Sequence, residues 1–243
     1  MGDDLTAALF SGPELRGGGP GPFVRRSAPD IVVGHGLGDI AALAAARVID
    51  HADAIELARI REQLIARANA DQAGGLLCVV AYGADDAARH IATLSGARIA
   101  RRDLPRRVVL AGSHKQLAAA RRAADELSVS VVDVSAPAAL HSPAMAGAAR
   151  GFADAVARVP FHDATRIVYS SVTAAPMRSP RDELVAGLRM PVLWRQTVCA
   201  LHAAGASRFV EAGGRRTLGD LTCEALGAGR RAGTPSQQLL HAG

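Results

Sequence analysis

Lysine is nearly absent from this 243-residue chain: Lys115 stands alone, and the rest of its Lys and Arg complement is arginine. Aromatic residues make up only 3% of it. No arginine run is interleaved with rings, so binding of single-stranded nucleic acid by base stacking is not expected. Cysteine is scarce too. Cys78, Cys199 and Cys223 are odd in number and match neither a disulfide framework nor metal spacing. That usage predicts a reduced, cytoplasmic protein whose three thiols are buried and inert. No apolar run approaches the roughly 20 residues that span a bilayer, so no membrane role is expected. The start, Met1-Gly2-Asp3-Asp4, is acidic and lacks a signal-peptide pattern.

What is present favours a globular α/β protein. Hydrophobic residues are 49% of the chain, enough for a sizeable core in one or two domains. The net charge of +5 would attract an acidic partner. The most informative stretch is Ile31-Val32-Val33-Gly34-His35-Gly36-Leu37-Gly38-Asp39-Ile40, followed by Ala41-Ala42-Leu43-Ala44-Ala45-Ala46. β-Branched residues run into a turn with glycine at alternate positions, and a strong helix former follows. This is the strand–turn–helix context of the nucleophile elbow, G-x-S-x-G. The serine position holds Gly36, which tolerates the strained turn but carries no oxygen.

From Asp50 the spacing predicts a long amphipathic helix, with Leu57, Ile60, Leu64 and Ala68 on one stripe. Arg61 falls inside that stripe, four residues from Leu57 and from Ile65, whereas Arg59 and Arg67 fall outside it. An inward arginine needs a carboxylate. That carboxylate belongs either to an internal Asp or Glu or to a ligand. Residues 75–134 then read strand, helix, strand, strand, helix, strand: Leu76–Tyr82, Asp85–Ser95, Ala97–Arg101, Arg107–Ala111, Lys115–Leu127 and Val129–Val134. That order is the split βαβ, ferredoxin-like motif. Arg101, Arg102, Arg106 and Arg107 make a basic cluster within it, either an ordinary solvated face or a protein-docking patch.

These motifs resemble one family. Gly34-His35-Gly36-Leu37-Gly38-Asp39-Ile40-Ala41-Ala42-Leu43 is similar to the G-H-S-L-G-E-x-x-A-L signature of the malonyl-CoA:acyl-carrier-protein transacylases, which include acyltransferase domains of fatty-acid and polyketide synthases. Further matches follow in family order. Ala100 to Gly112 resembles A-N-x-N-x-P-x-Q-V-V-x-x-G, with Arg101, Asp103 and Arg107 in place of amides. Val134 to Met145 resembles V-S-x-P-x-H-S-x-x-M, with about two extra residues before His141. Pro191 to Val198 resembles P-V-x-W-x-x-T-V and reads as core and helix start. Phe209 to Gly214 resembles F-x-E-x-G-P-G, with Arg215 at the second glycine. The resemblance runs from about Ala28 to Leu226.

The resemblance implies an α/β-hydrolase-like large domain, 29–74 and 135–226, with an inserted ferredoxin-like (βαββαβ) subdomain, 75–134. Residues 1–28 are expected to be irregular, with one or two helical turns at Leu5–Phe10, and 227–243 a flexible tail. Nothing in 1–28 matches the family's first strand and G-Q-G-x-Q loop. A partner that completes the sheet is therefore a further expectation. By resemblance, His141 is the general base, the Leu37 backbone N–H is an oxyanion donor, and Gly36 is a vacant nucleophile position. Arg61 takes the free carboxylate of the acyl group. His35 is assigned to substrate binding, although it is expected to face away from the elbow tip. No bound cofactor or metal is expected; malonyl-CoA or a related acyl-CoA is the substrate or ligand. An acyl carrier protein or a polyketide synthase component is the partner. Two functions follow: malonyl-type acyl transfer to a carrier with impaired or altered catalysis, or a pseudo-transacylase that binds acyl-CoA or carrier, or braces a synthase.

Overall fold

A computed structural model describes residues 5–11, 29–212, 217–227 and 240–241 of the chain. In chain order, strands β1 (Leu5–Phe10) and β2 (Ile31–Gly34) precede helices α1 (Gly38–Ala45) and α2 (His51–Asp71). Next come β3 (Gly74–Val80), α3 (Ala84–Ser95), β4 (Arg98–Leu104), β5 (Arg107–Ser113), α4 (His114–Glu126) and β6 (Ser130–Val134). A single 3-10 turn, Pro143–Met145, opens α5 (Ala146–Arg158). The remainder is β7 (Ile167–Ser170), β8 (Ala175–Pro176), α6 (Pro180–Ala186), α7 (Trp194–Ala203), β9 (Ala206–Glu211), α8 (Thr217–Ala225) and β10 (Leu240–His241). The chain divides into two units: Met1–Ala58, Val159–Pro180 and Trp194–Gly243 form the first, and Arg59–Arg158 and Arg181–Leu193 the second.

The first unit is built on a sheet in the order β10-β9-β1-β2-β7-β8, parallel from β9 to β7. β1 is its central strand, pairing Ala8 with Val32 on one side and with Val210 on the other. This corrects the reading of Leu5–Phe10 as helical turns in an irregular segment. Ala7, Ala8 and Leu9 are fully buried. A strand covered on both faces shows a continuous apolar run, not an alternation, and six such residues carry no period to read. The sheet therefore contains its own central strand, and the place expected for a partner's strand is filled. The tail is also corrected in part: Leu240–His241 pairs antiparallel with Phe209 and Arg208. Residues 12–28 of the segment expected to be irregular, residues 213–216 and the rest of the tail lie outside the described residues.

The second unit carries the antiparallel sheet β4-β5-β3-β6. This is the ferredoxin-like arrangement, with each element within a few residues of its expected bounds. Leu77, Val79, Val108 and Leu110 point to the side packed by Ala84, Ala88 and Ile91 of α3 and Leu117, Ala120 and Ala124 of α4. Leu76, Cys78, Val109 and Ala111 build a second cluster with Ala100 and Ala139. The capping box at Ser113 fixes the start of α4: Ser113 Oγ accepts from Gln116 N at 3.3 Å, and Gln116 Oε1 accepts from Ser113 N at 2.9 Å. The outer edge of β4 is closed by residue 192. Arg102 N donates to Val192 O at 2.8 Å, and Val192 N donates to Ala100 O at 2.9 Å. The unit extends beyond its sheet to the rest of α2, to α5 and to α6.

The thiols do not share one environment. Cys78 is buried, Cys223 is partly covered and Cys199 is exposed, which corrects the expectation of three buried thiols. Burial pushes the Cys78 thiol above its ordinary value, against the lowering effect of Arg107 and Arg101. In α7, Trp194, Thr197, Val198 and Leu201 form the buried stripe, and Cys199 lies off it. Among the described residues no helix is long and apolar enough to cross a membrane.

Candidate active site

The elbow is a tight construction in the first unit. His35 N donates to Phe10 O at 3.0 Å, which ties the turn to the end of β1. Gly36 sits at the tip with φ +64°, the left-handed region. Gly38 N donates to His35 O at 3.1 Å, Asp39 N to Gly36 O at 3.3 Å and Ile40 N to Leu37 O at 3.2 Å, so α1 begins directly behind the tip. The flanking glycines are needed for space. A Cβ on Gly38 would lie 1.8 Å from Phe10 O, and one on Gly34 would lie 2.1 Å from Asp39 N. Gly38→Ala must therefore separate α1 from β1, and a loss of at least about 3 kcal/mol is expected in urea unfolding. Gly147→Ala in α5 meets nothing within 4 Å and should leave the midpoint nearly unchanged. The Leu37 N–H has no acceptor among the described residues and stands at the N-terminal end of α1. A backbone donor there, reinforced by the helix dipole, suits an oxyanion.

Two side chains brace this turn. The half-buried His35 ring meets the Trp194 ring edge-on, with centroids 5.3 Å apart and planes at 67°. Trp194 is fully buried at the start of α7. Asp39, in the first turn of α1, is 5% exposed, and Ser171 is 0% exposed. Ser171 Oγ lies 3.5 Å from both Asp39 carboxylate oxygens, at the long limit of a hydrogen bond. The two positions are 132 residues apart, too far for any local pattern to pair them.

In the second unit His141 is 5% exposed and has φ +56°. A buried, non-glycine residue held in the left-handed region is the kind of backbone outlier that marks functional positions. Its Nδ1 is 2.7 Å from Gly187 O, just past the C-terminal end of α6. A carbonyl only accepts, so Nδ1 carries the hydrogen. The lone pair of the neutral ring is therefore on Nε2. This orientation is what a general base requires. Gly187 was invisible to sequence reasoning because a backbone carbonyl has no residue signature.

Ser142 next to it is committed elsewhere. Its Oγ donates to Ala139 O at 2.7 Å and accepts from Ala144 N at 3.3 Å, capping the 3-10 turn. It is a poor substitute nucleophile. Arg61 lies where its periodicity predicts, 8% exposed on the stripe of Leu57, Ala58 and Ile65, while Arg59 and Arg67 are exposed. The same helix packs on α5 one turn later, where Leu64 closes over Gly151. The structure thus places Arg61 and His141 in the second unit, and His35, Gly36 and Leu37 in the first. Among the described residues no cluster of His, Cys, Asp and Glu could hold a metal ion.

Residues 23–219 match the acyl transferase domain family. The chain is 29% identical over 211 residues to a malonyl CoA-acyl carrier protein transacylase of Synechocystis, covering 82% of this chain and 68% of that protein. It is 31% identical over 207 residues to the corresponding transacylase of Escherichia coli, covering 80% and 65%. It therefore spans about two thirds of the length of these relatives. The crystal structure of the acyltransferase domain of an iterative polyketide synthase in enediyne biosynthesis superposes with a TM-score of 0.77 at 30% identity, over 96% of this chain and 68% of that one.

Proposed function

From the premise that this chain belongs to the acyl transferase domain family, we propose that it binds a malonyl-type acyl thioester of fatty-acid or polyketide biosynthesis and handles it without an acyl-serine. The observation that carries this reading is the strand–turn–helix formed by β2 and α1, whose tip is Gly36 at φ +64°. Gly34 and Gly38 keep the close approaches that such a turn needs. This local geometry supports the reading of a nucleophile elbow, and the glycine at its tip carries no oxygen that could attack.

Arg61 supports the assignment of the acyl group. A guanidinium on an inward stripe matches a carboxylate in two parallel hydrogen bonds, and malonyl thioesters carry a free carboxylate. His141 supports residual chemistry. With Nδ1–H held by Gly187 O, its Nε2 can take the proton of a carrier thiol or of water as that group attacks the thioester carbonyl. The same proton then leaves on the CoA sulfur, and the acyl group moves in one displacement in place of two. Such a route lacks covalent catalysis and should run several orders of magnitude below a serine-dependent one.

The test is turnover of malonyl-CoA, with and without an acyl carrier protein, by wild type and by His141→Ala. Slow turnover that His141→Ala abolishes is expected. Turnover unchanged in His141→Ala overturns the role of the histidine. Tight malonyl-CoA binding with no turnover at all favours the second reading, a pseudo-transacylase that holds acyl-CoA or carrier, or braces a synthase; Gly36 motivates that reading as well.

A further inference from the structure

The arginines of the β4–β5 hairpin fall into two classes. Arg101 Nε lies 3.3 Å from Asp103 Oδ2, and Arg102 Nε lies 2.8 Å from Asp85 Oδ1, so both are neutralised within the subdomain. Arg106 and Arg107 are exposed and have no carboxylate partner among the described residues. Asp86, the other acid at the start of α3, is taken by Arg89. A local excess of two positive charges therefore remains at this end of the second unit.

That excess is held on a rigid base. Arg106 shares with Pro105 the two-residue turn between β4 and β5. Ala81 N donates to Arg106 O at 3.2 Å, which fixes the turn against the end of β3. The next residue, Tyr82, is 85% exposed. Gly83, at φ +69°, then turns the chain sharply into α3 and leaves the tyrosine projecting at the corner. The Arg106 guanidinium lies over this ring, its carbon 3.4 Å from the centroid. A stacked arginine has given up most of its rotamer freedom before any partner arrives. Such preorganisation favours binding, and tyrosine and arginine are the residues that most often dominate protein interfaces. A merely solvated face has no need of an aromatic residue so fully exposed.

We propose that Tyr82, Arg106 and Arg107 form a docking site for the acidic surface of an acyl carrier protein. The proposal rests on the functional reading above and deepens it, by placing the carrier on this end of the ferredoxin-like unit. Carboxylates of the carrier pair with the two arginines, and the open face of Tyr82 packs against it.

The test is binding of the full chain to purified acyl carrier protein of Escherichia coli, read by fluorescence anisotropy of the labelled carrier, beside malonyl-CoA binding by the same samples. Arg106→Glu should weaken carrier binding by about tenfold or more, and Arg107→Glu and Tyr82→Ala by about fivefold. Arg122→Glu, the same charge reversal at an exposed position on α4, should change it less than about twofold. Malonyl-CoA affinity should stay constant throughout. Equal effects of Arg106→Glu and Arg122→Glu overturn the site, as does a parallel loss of binding to polyuridylate, which would mark a general polyanion surface. Wild type that binds malonyl-CoA but not the carrier overturns the docking site alone. Wild type that binds neither removes the functional reading together with it.

Discussion

Gly36→Ser is expected to convert the protein from one that never forms a covalent acyl adduct into one that is acylated by malonyl-CoA. The change supplies a hydroxyl at the tip of a turn whose backbone is already in the left-handed region, φ +64°. A serine there costs about 1 kcal/mol of strain, which a turn fixed by the Phe10, His35 and Gly36 carbonyls can hold. The Leu37 N–H at the head of α1 is the donor that, on this proposal, would stabilise a developing oxyanion. Because a missing nucleophile removes several orders of magnitude of rate, its restoration should be the largest single gain available in this chain. Intact-protein mass spectrometry after mixing with malonyl-CoA reads it directly. A Gly36→Ser protein that stays unmodified would mean that the elbow does not present residue 36 to a bound acyl group.

Arg61→Ala is expected to weaken malonyl-CoA binding by about a hundredfold, or ~2.7 kcal/mol, and to leave acetyl-CoA binding almost unchanged. The arginine is 8% exposed in the middle of an apolar stripe, so a ligand carboxylate left without it would be desolvated and unpaired. Arg61→Lys should recover only part of the loss, because an ammonium keeps the charge but not the planar fork. The acetyl-CoA arm guards against misfolding: equal loss of both ligands would assign Arg61 a structural role and sink the carboxylate reading. Titration calorimetry with the two thioesters measures the difference.

Local patterns carry most of what the sequence reveals of this fold. The elbow was legible because strand, glycines and helix are contiguous, and Arg61 because helical periodicity places it without knowledge of what it faces. The ferredoxin-like unit was legible because its six elements are sequential and their helices amphipathic. What failed was non-local or short. β1 was misread because a strand buried on both faces has no alternation, and its two neighbours, β2 and β9, lie about 20 and 200 residues away. β10 is only two residues long. The partners of the site, Gly187 for His141 and Ser171 for Asp39, are 46 and 132 residues distant. One of them acts through its backbone alone. Cys199 was misplaced by relying on the usual burial of cysteine when its position off the Trp194–Leu201 stripe was the better guide.

The arginine cluster shows the same division. Its sequence marked a basic patch but could not separate Arg101 and Arg102, neutralised by Asp103 and Asp85, from Arg106 on its tyrosine. That distinction depends on which carboxylates the fold brings close, and it decides which charges remain for a partner.

The central claim is that this chain engages a malonyl thioester without covalent attachment at the elbow. The most direct measurement is the intact mass of wild type incubated with malonyl-CoA, with and without acyl carrier protein, beside Gly36→Ser under the same conditions. The account predicts an unmodified wild type and a malonylated Gly36→Ser. A malonyl adduct on wild type would contradict it, because some other side chain would then be serving as the nucleophile.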